Sequence, residues 1–331
     1  MGWISLFLEL HTLSPSLKPA TTIEQHIERL IERGMEVNRQ EATQWLNNVS
    51  YYRLSAYWYP AREFIPGTTE RSDHFVEGTT FSQVTRLYEA DRKLRTLIHD
   101  GIERIEIAMR TQITEVLCLR SPDDPTAYLG NVLFKEKFNH IDWLSSIYRR
   151  LARAKKSESI KHYSRSYSGQ FPLWVVAEFM DFSDISHLYS GISSLDQKQV
   201  AENLNLTIDF DRLTSAQRSK LRKSHPLASW MEQLTIIRNT CAHHSRLWNK
   251  SFIPASTTGI QSNGNLNLLP AGQSERIFGA LVVMSHILRV VSPGTTWPDK
   301  VLALITDDFL TNPIVNASGL GIPPQWDERR I

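Results

Sequence analysis

One stretch of the sequence, from Phe81 to Leu119, restricts the fold more than any other. Its apolar residues recur at steps of three and four, the spacing that places side chains on one face of an α-helix. Thr80 followed by Gln83 predicts a capped helix start, and Ser121–Pro122 predicts its end. The recurring residues are Val84, Leu87, Tyr88, Leu94, Ile98, Ile102, Ile105, Met109, Ile113 and Val116. A helix of this length predicts a bundle packed around it, and Gly101 marks a position where a kink is expected.

The rest of the chain shows the same helical character, so the predicted fold class is all-α. Further helices are predicted over residues 22–31, His140–Lys155, Pro172–Tyr189, Pro226–Trp248 and Ser274–Val291. Asn38 and Glu41 predict the start of another short helix. Alternation typical of strands is scarce, and residues 61–80, which contain Gly and Pro, are predicted to form a loop.

Length and composition set the broad class of protein. With 331 residues, of which 41% are hydrophobic, the chain can bury a large core. Its two cysteines, Cys118 and Cys241, cannot build a disulfide framework, so a reducing compartment is expected. The opening MGWISLFLEL is apolar but short, has no basic leader and carries Glu9, which makes it a poor signal peptide. Because no apolar run approaches the roughly 18 residues of a membrane-spanning helix, a cytoplasmic protein without a membrane partner is predicted.

Positive charge is concentrated in two blocks, although the formal net charge is only +2. The first lies between Arg149 and Arg165 and contains a single acidic residue, Glu158, whereas the second runs from Arg212 to Lys223 without any. Such blocks favour contact with a polyanion at one surface, and the alternative is a pair of solvated helix faces. The residues assigned to this contact are Arg149, Arg150, Arg153, Lys155, Lys156, Arg218, Lys220, Arg222, Lys223 and, further along the chain, Arg246.

The segment IIRNTCAHHSRLWN, residues 236–249, concentrates Arg, Asn and His among apolar residues. At about 100° per residue, the helix predicted here buries one stripe. That stripe contains Trp230, Leu234, Ile237, Cys241 and Trp248. His244 falls at its edge, which favours a buried histidine satisfied by a neighbour. Asn239 and His243 lie on the opposite face, where an amide can hold an imidazole in one orientation.

Arg238 lies about 140° from His243 around this helix, so the two side chains need not meet within one chain. Two copies of the helix, packed together, would bring the Arg and His of both chains around one cleft. The pattern therefore predicts a composite site in a homodimer.

Other chemistries fit these residues less well. Cys241, His243 and His244 are metal-ligand types, but they point in different directions and have no second cluster nearby, so no zinc site is expected. Cys241 lies within the stripe and is predicted to be a small apolar side chain rather than a nucleophile. No Gly-rich phosphate loop, nucleotide fingerprint or Gly-x-Ser-x-Gly elbow occurs. Glu106 and Arg110, four residues apart, are interpreted as a helix-stabilising pair.

From about Lys18 onward, the chain resembles the Abi-like (abortive infection) family of bacterial proteins. The most specific block is IRNTCAHHSRLWN, and other blocks support it by their order and spacing: KPATTIEQHIERLIERGM, NVSYYRLSAYWYP, LYEADRKLRTLI, GIERIEIAMR and FPLWVVAEF. Residues 181–184, DFSD, depart from the Phe-Gly-Thr type of segment expected there. The chain is divided accordingly into an unassigned segment 1–17, an aromatic-rich helical region 18–66, a helical core 80–292 with the motif, and a tail 293–331 that docks through Trp326.

This family is similar to the wider HEPN group, whose ribonuclease members carry an Arg, a polar residue and a His at a short spacing. Arg238, Asn239 and His243 match that pattern with four intervening residues, and His244 would match it with five. The resemblance implies a HEPN-type all-α bundle that dimerises through the motif helices and cleaves RNA without a metal or other cofactor. It implies a role in phage defence or as a toxin, with a small non-coding RNA antitoxin or guide-like RNA as partner in some systems.

These residue types suit RNA cleavage in which the 2′-hydroxyl attacks the adjacent phosphate. One imidazole accepts the hydroxyl proton and another protonates the leaving 5′-oxygen, roles assigned to His243 of two copies. Arg238 is assigned to the developing phosphorane charge and Asn239 to orientation. Two alternatives stay open: a non-catalytic RNA-binding protein in a ribonucleoprotein, and a helical scaffold for a phage-sensing partner. The polar face shared by Asn239 and His243 favours the nuclease, because Lys or Arg would suffice to grip phosphate.

Overall fold

The computed structural model of the chain describes residues 19–327 and 330–331. The segment 1–17, with its interpretation as a poor signal peptide, lies outside the described residues, as do Lys18, Glu328 and Arg329. Contacts within the chain divide it into two compact units, one ending at Thr85 and one beginning at Arg86.

The first unit, as far as the structure describes it, contains three helices and a hairpin. Its elements are α1 (Ile23–Glu32), α2 (Arg39–Asn48), α3 (Tyr51–Trp58), β1 (Arg62–Phe64) and β2 (Arg71–Phe75). Each helix begins at a polar cap: the side chains of Thr22, Asn38 and Ser50 accept hydrogen bonds from N–H groups of the first turn. The prediction of a loop over residues 61–80 is wrong in part, because β1 and β2 pair antiparallel there. Both strands are short and mostly exposed, so they carry no apolar alternation for the sequence to display.

The second unit is built mainly of helices. Its helices are α4 (Phe81–Arg120, which begins in the first unit), α5 (His140–Arg153), α6 (Glu158–Ser166), α7 (Leu173–Ala177), α8 (Phe182–Gly191), α9 (Ser194–Asn203), α10 (Ser215–Lys223), α11 (Leu227–Ala242), α12 (Ile277–Val291), α13 (Trp297–Ala303), a π-helical segment (Leu304–Phe309) and α14 (Ala317–Leu320). Two short strands, β3 (Ala255–Ser256) and β4 (Gln273–Ser274), pair antiparallel. The structure is 60% helical, which confirms the predicted all-α class. Within the described ranges, no helix has the length and apolar character needed to cross a membrane.

The longest helix, α4, follows its predicted boundaries closely. Thr80 and Gln83 form the expected reciprocal cap, with distances of 3.0 and 3.1 Å from each backbone nitrogen to the other residue's side-chain oxygen. The helix is continuous through Gly101, the position where a kink was expected. A Cβ at Gly101 would lie 2.7 Å from Met284 Cε and 3.0 Å from the Trp297 ring. This glycine therefore permits α4 to pack closely against α12 and α13.

Two of the predicted helices differ from the sequence pattern: one is interrupted and the other ends early. The stretch 172–189 is divided into α7 and α8 by a capping box, in which Asp181 and Asp184 each accept the backbone N–H of the other at 3.0 Å. The DFSD segment is thus a helix start, and Arg150 binds both of its carboxylates. In the motif itself, α11 ends at Ala242 rather than at Trp248.

The motif helix α11 lies in the core of the second unit. The predicted stripe is buried within α11 at Trp230, Leu234, Ile237 and Cys241. Gln233 is also buried, and its Nε2 donates to the carbonyls of Ile253 and Ser274 at 2.6 and 2.9 Å. α12 packs beside α11 and is buried on nearly every side, as expected for a helix that is apolar all round.

The C-terminal tail docks on this core. Trp326 meets Phe278 edge to face, with ring centroids 5.6 Å apart. Arg289 donates to the carbonyl of Ile331 at 2.7 Å. The docking contact expected of Trp326 is therefore present.

One buried carboxylate joins α4 to the end of the histidine motif. Asp91 is 0% exposed and accepts the N–H of Trp248 at 2.8 Å and that of Leu247 at 3.1 Å. Arg95, one turn further along α4 and also buried, forms an ion pair with it. A carboxylate withdrawn from water is stable only when its lone pairs are bonded. The Asp91 contacts therefore fix the position of the segment that follows the two histidines.

Asp91→Asn is expected to lower the free energy of unfolding by about 3–5 kcal/mol, because one member of a buried ion pair is left alone. Asp100→Asn is the matched control, since Asp100 forms the same type of pair with Arg104 on α4 but is 57% exposed. Its loss is expected to cost less than about 1 kcal/mol. Urea denaturation of both variants measures the difference, and equal effects would contradict the role of Asp91.

Candidate active site

The polar residues of the motif gather where α11 ends. The N–H of His244 donates to the carbonyl of Cys241, and that of Ser245 to the carbonyl of Thr240, both at 2.9 Å. These two bonds form a Schellman motif, whose C′ residue adopts the left-handed conformation and is usually glycine. Here the C′ residue is His244, with φ of +54°. A histidine in this conformation carries a steric cost that glycine would avoid.

The early helix end changes where both histidines lie. The prediction that His244 sits at the edge of the buried stripe is wrong: it is exposed, because residues after Ala242 no longer follow the helical phase. His243 is exposed as well, at the C-cap, where its N–H donates to the carbonyl of Asn239 at 3.0 Å. Among the described residues, none hydrogen-bonds the ring of His243. Trp248 is buried as predicted, but outside the helix.

Arg238 and Asn239 lie one turn before this helix end. Arg238 is half-buried, and its Nη1 donates to Oδ1 of Asn239 at 3.2 Å. The sequence analysis assigned Asn239 to the orientation of an imidazole. In the structure, its amide oxygen instead holds the Arg238 guanidinium.

Arg238 lines a polar cleft of about 610 Å³ between α4 and α11. The charged and polar lining residues are Thr96, His99, Asp100, Glu103, Glu106 and Arg110 of α4, together with Arg238 of α11. Positions 99, 103, 106 and 110 follow at steps of four, three and four, so they share one face of α4. That spacing is the signal by which the sequence could have revealed this face.

His99 is the imidazole of this cleft. Partial burial lowers its pKa, the charge of Arg238 lowers it further and that of His244 adds to the effect. A hydrogen bond to the backbone carbonyl of Cys241 acts in the opposite direction. The balance favours the neutral ring at neutral pH. Arg238 and the end of α11 therefore both lie beside His99, a residue that the sequence analysis did not single out.

Glu106 and Arg110 form the predicted pair within α4, and they also interact with groups outside that helix. Burial raises the pKa of Glu106, against the charges of Arg110 and Arg238, which lower it. Arg110 also donates to the backbone carbonyl of Met180, between α7 and α8. The pair therefore ties α4 to its neighbours and places a carboxylate near Arg238.

Cys241 is buried at the same helix end, as the stripe predicted. Burial raises the pKa of its thiol to about 12, and the negative charge of Asp91 adds to this shift. The sulfur is therefore protonated at neutral pH and is a poor nucleophile. In the part of the chain that the structure describes, no three His, Cys, Asp or Glu side chains are grouped so as to hold a metal ion.

Some basic side chains assigned to RNA contact are bound to other groups of the protein, whereas others are exposed. Arg150 is half-buried and bound to Asp181 and Asp184, and Arg218 donates to two backbone carbonyls at 3.0 and 3.2 Å. Arg246 is half-buried, with its guanidinium 5.8 Å from the centre of an indole ring. The other assigned residues are exposed and form no ion pair with described residues: Arg149, Arg153, Lys155, Lys156, Lys220, Arg222 and Lys223.

A protein-family model with the description Abi-like protein matches residues 44–249 of the chain. The matched range contains the cleft, the end of α11 and the contacts of Asp91. Comparison with curated proteins and with solved structures finds no match.

His244→Gly is expected to be more stable than His244→Ala by about 1 kcal/mol, because glycine adopts the left-handed conformation without the steric cost of a Cβ. Both variants lose the imidazole, so the comparison isolates the backbone strain at the C′ position. Urea denaturation of the two variants gives the difference. An alanine variant at least as stable as the glycine variant would show that residue 244 is not held in the left-handed conformation.

Proposed function

The chain belongs to the Abi-like protein family, and we propose that it is a metal-independent RNA endonuclease that acts in abortive infection or as a toxin. Membership of this family suggests the abortive-infection role. The observation that best supports the nuclease is the grouping at the end of α11. There the charges of Arg238 and His244 both lower the pKa of His99. His243, which is exposed, lies at the same helix end.

In the proposed reaction, the 2′-hydroxyl of RNA attacks the adjacent phosphorus and the bond to the 5′-oxygen breaks, leaving a 2′,3′-cyclic phosphate. Arg238 offers two N–H donors to the charge that develops on the phosphorane oxygens. Asn239 holds this guanidinium in place. His243 transfers protons, since its ring is exposed and none of the described residues hydrogen-bonds it, and imidazole is the side chain most often used as a general acid or base.

Cleavage needs a base and an acid, whereas one chain offers one His243. We therefore propose a homodimer in which His243 of one copy is the base and His243 of the other is the acid. The α4 side of the cleft carries the carboxylates of Glu103 and Glu106, which repel phosphate. RNA accordingly approaches Arg238 from the end of α11, where two copies can meet. A small regulatory RNA is the proposed partner of the exposed basic residues outside the cleft.

A non-catalytic RNA-binding protein is the second candidate. It is favoured by the exposed basic residues of α5 and α10, which could hold RNA in a ribonucleoprotein without any proton transfer. The two candidates differ in whether RNA is cut, so the histidine variants distinguish them.

His243→Ala is expected to lower the rate of RNA cleavage by about 10²–10⁴-fold or more, the usual contribution of general acid–base catalysis. RNA binding and the free energy of unfolding should change little, because the ring is exposed and no residue within the described ranges hydrogen-bonds it. Cleavage of labelled cellular RNA and a binding titration measure the two effects separately.

His244→Gly is the matched variant for that experiment, because glycine suits the left-handed backbone and keeps the helix end intact. It is expected to retain more activity than His243→Ala. If His243→Ala kept near-normal cleavage while a folded His244→Gly lost it, the proton-transfer role would belong to His244.

Excess chelator is expected to leave cleavage by the wild-type protein intact, since the proposed steps use only side chains and the 2′-hydroxyl. Sequencing of the products after enzymatic end repair should show 2′,3′-cyclic phosphate ends. Loss of activity with EDTA, restored by a divalent cation, would contradict this mechanism.

Replacement of Arg149, Arg153 and Lys156 by Gln is expected to weaken RNA binding and flatten its salt dependence. Each lost phosphate contact should reduce the slope of log K against log salt by about 0.7–0.9. Lys161→Gln is the control, because Lys161 on α6 is already paired with Glu158 at 2.7 Å. A slope that stays unchanged in the triple variant would identify this block as a solvated face.

A further inference from the structure

A second pocket, which shares no residue with the Arg238 cleft, lies between α9 and α10. Its volume of about 350 Å³ falls within the usual range of small-ligand sites. Its apolar walls are formed by Leu195, Leu206, Ile208, Phe210 and Leu221. Leu206 and Leu221 are buried, whereas the ring of Phe210 is only half-buried. The pocket therefore has a partly exposed aromatic side chain in its lining.

The histidine of this pocket is part of the fold rather than a ligand-binding group. His225 is buried, and burial lowers its pKa to about 4. Its Nδ1 accepts the N–H of Leu227 at 3.1 Å, and the ring also hydrogen-bonds the carbonyl of Leu206. The ring is therefore neutral at pH 7 and fixes the floor of the pocket.

The mouth of the pocket carries an excess of positive charge. Lys198 lies 3.5 Å from Glu202 in an ion pair, whereas Arg222 is exposed and forms no ion pair with described residues. Lys220 and Lys223, on the same helix as Arg222, are also exposed without such pairs. An apolar interior with Arg222 in its lining, and with two exposed lysines elsewhere on the same helix, suits an aromatic group attached to an extended polyanion.

We propose that this pocket takes one unpaired nucleobase of an RNA strand, an inference that rests on the proposed function. The base stacks on Phe210, and its flanking phosphates contact Arg222 and the neighbouring lysines of α10. An RNA strand, unlike a small apolar acid, extends beyond the pocket and reaches the exposed lysines elsewhere on α10. A base held in a duplex cannot enter, so the pocket selects single-stranded RNA.

Binding of a 2′-O-methyl RNA oligonucleotide of about ten nucleotides tests this inference, because such RNA spans a typical single-strand site and cannot be cut by 2′-hydroxyl attack. An abasic oligonucleotide of the same length is the second probe. Phe210→Ala in the full chain is expected to weaken binding of the RNA by about 5- to 100-fold and to leave the abasic probe unaffected. Phe64→Ala removes an exposed phenylalanine from the first unit and should change neither.

Two further variants test the mouth and the opening of the pocket. Arg222→Gln should weaken both probes and lower the salt slope, whereas Arg212→Gln, whose residue is paired with Asp209 at 3.0 Å, should not. Leu195 is 59% exposed, so the Leu195→Trp variant should fold. Because the larger side chain narrows the pocket, this variant should bind the RNA no more tightly than it binds the abasic probe.

The outcomes separate the pocket from the proposed function. If the wild-type chain binds neither probe, both the RNA function and this pocket assignment fail. If the wild-type chain binds the RNA, and Phe210→Ala and Leu195→Trp bind it equally tightly, only the pocket assignment is overturned. If both variants bind the RNA more weakly while their binding of the abasic probe is unchanged, the pocket assignment is supported.

Discussion

The contact on which the rest of the site depends is the buried carboxylate of Asp91. It receives the N–H groups of Leu247 and Trp248 and the guanidinium of Arg95, so its negative charge is compensated inside the core. Backbone N–H groups that point to α4 cannot also continue an α-helix. The contact is thus consistent with the end of α11 at Ala242 and with the turn that exposes both histidines. A polar interaction in the core, rather than apolar packing alone, thus fixes the segment that follows the two histidines.

The α4 side of the cleft and the end of α11 differ in burial and in contacts. The α4 side of the cleft carries Glu106 and Arg110, which are half-buried and ion-paired, together with the exposed His99. The α11 end carries exposed imidazoles and a half-buried Arg238, which are suited to meeting a substrate. The strained backbone at His244 belongs to this second face.

Much of the fold could be predicted from periodicity, because α1, α4 and the buried stripe of α11 have long, regular apolar spacing. The end of α11 could not, because the residue at C′ is histidine and the glycine that usually marks such an end is missing. The division of α7 from α8 depends on Asp181, whose capping role becomes clear only when its partner Asp184 is placed. His99 was missed because Arg238 and the carbonyl of Cys241, which lie beside it, are more than a hundred residues away in sequence. Contacts of this range leave no local pattern, although the polar spacing along α4 was visible.

The most direct test of a site shared between two chains is the activity of mixed dimers. Wild-type and His243→Ala chains, coexpressed at varied ratios and purified together, would be assayed for RNA cleavage, with native mass spectrometry to count the mixed dimers. If the base and the acid come from different copies, each mixed dimer is inactive and cleavage falls with the square of the wild-type fraction. A linear fall, in which each mixed dimer keeps half of the activity, would contradict the composite site at the ends of α11.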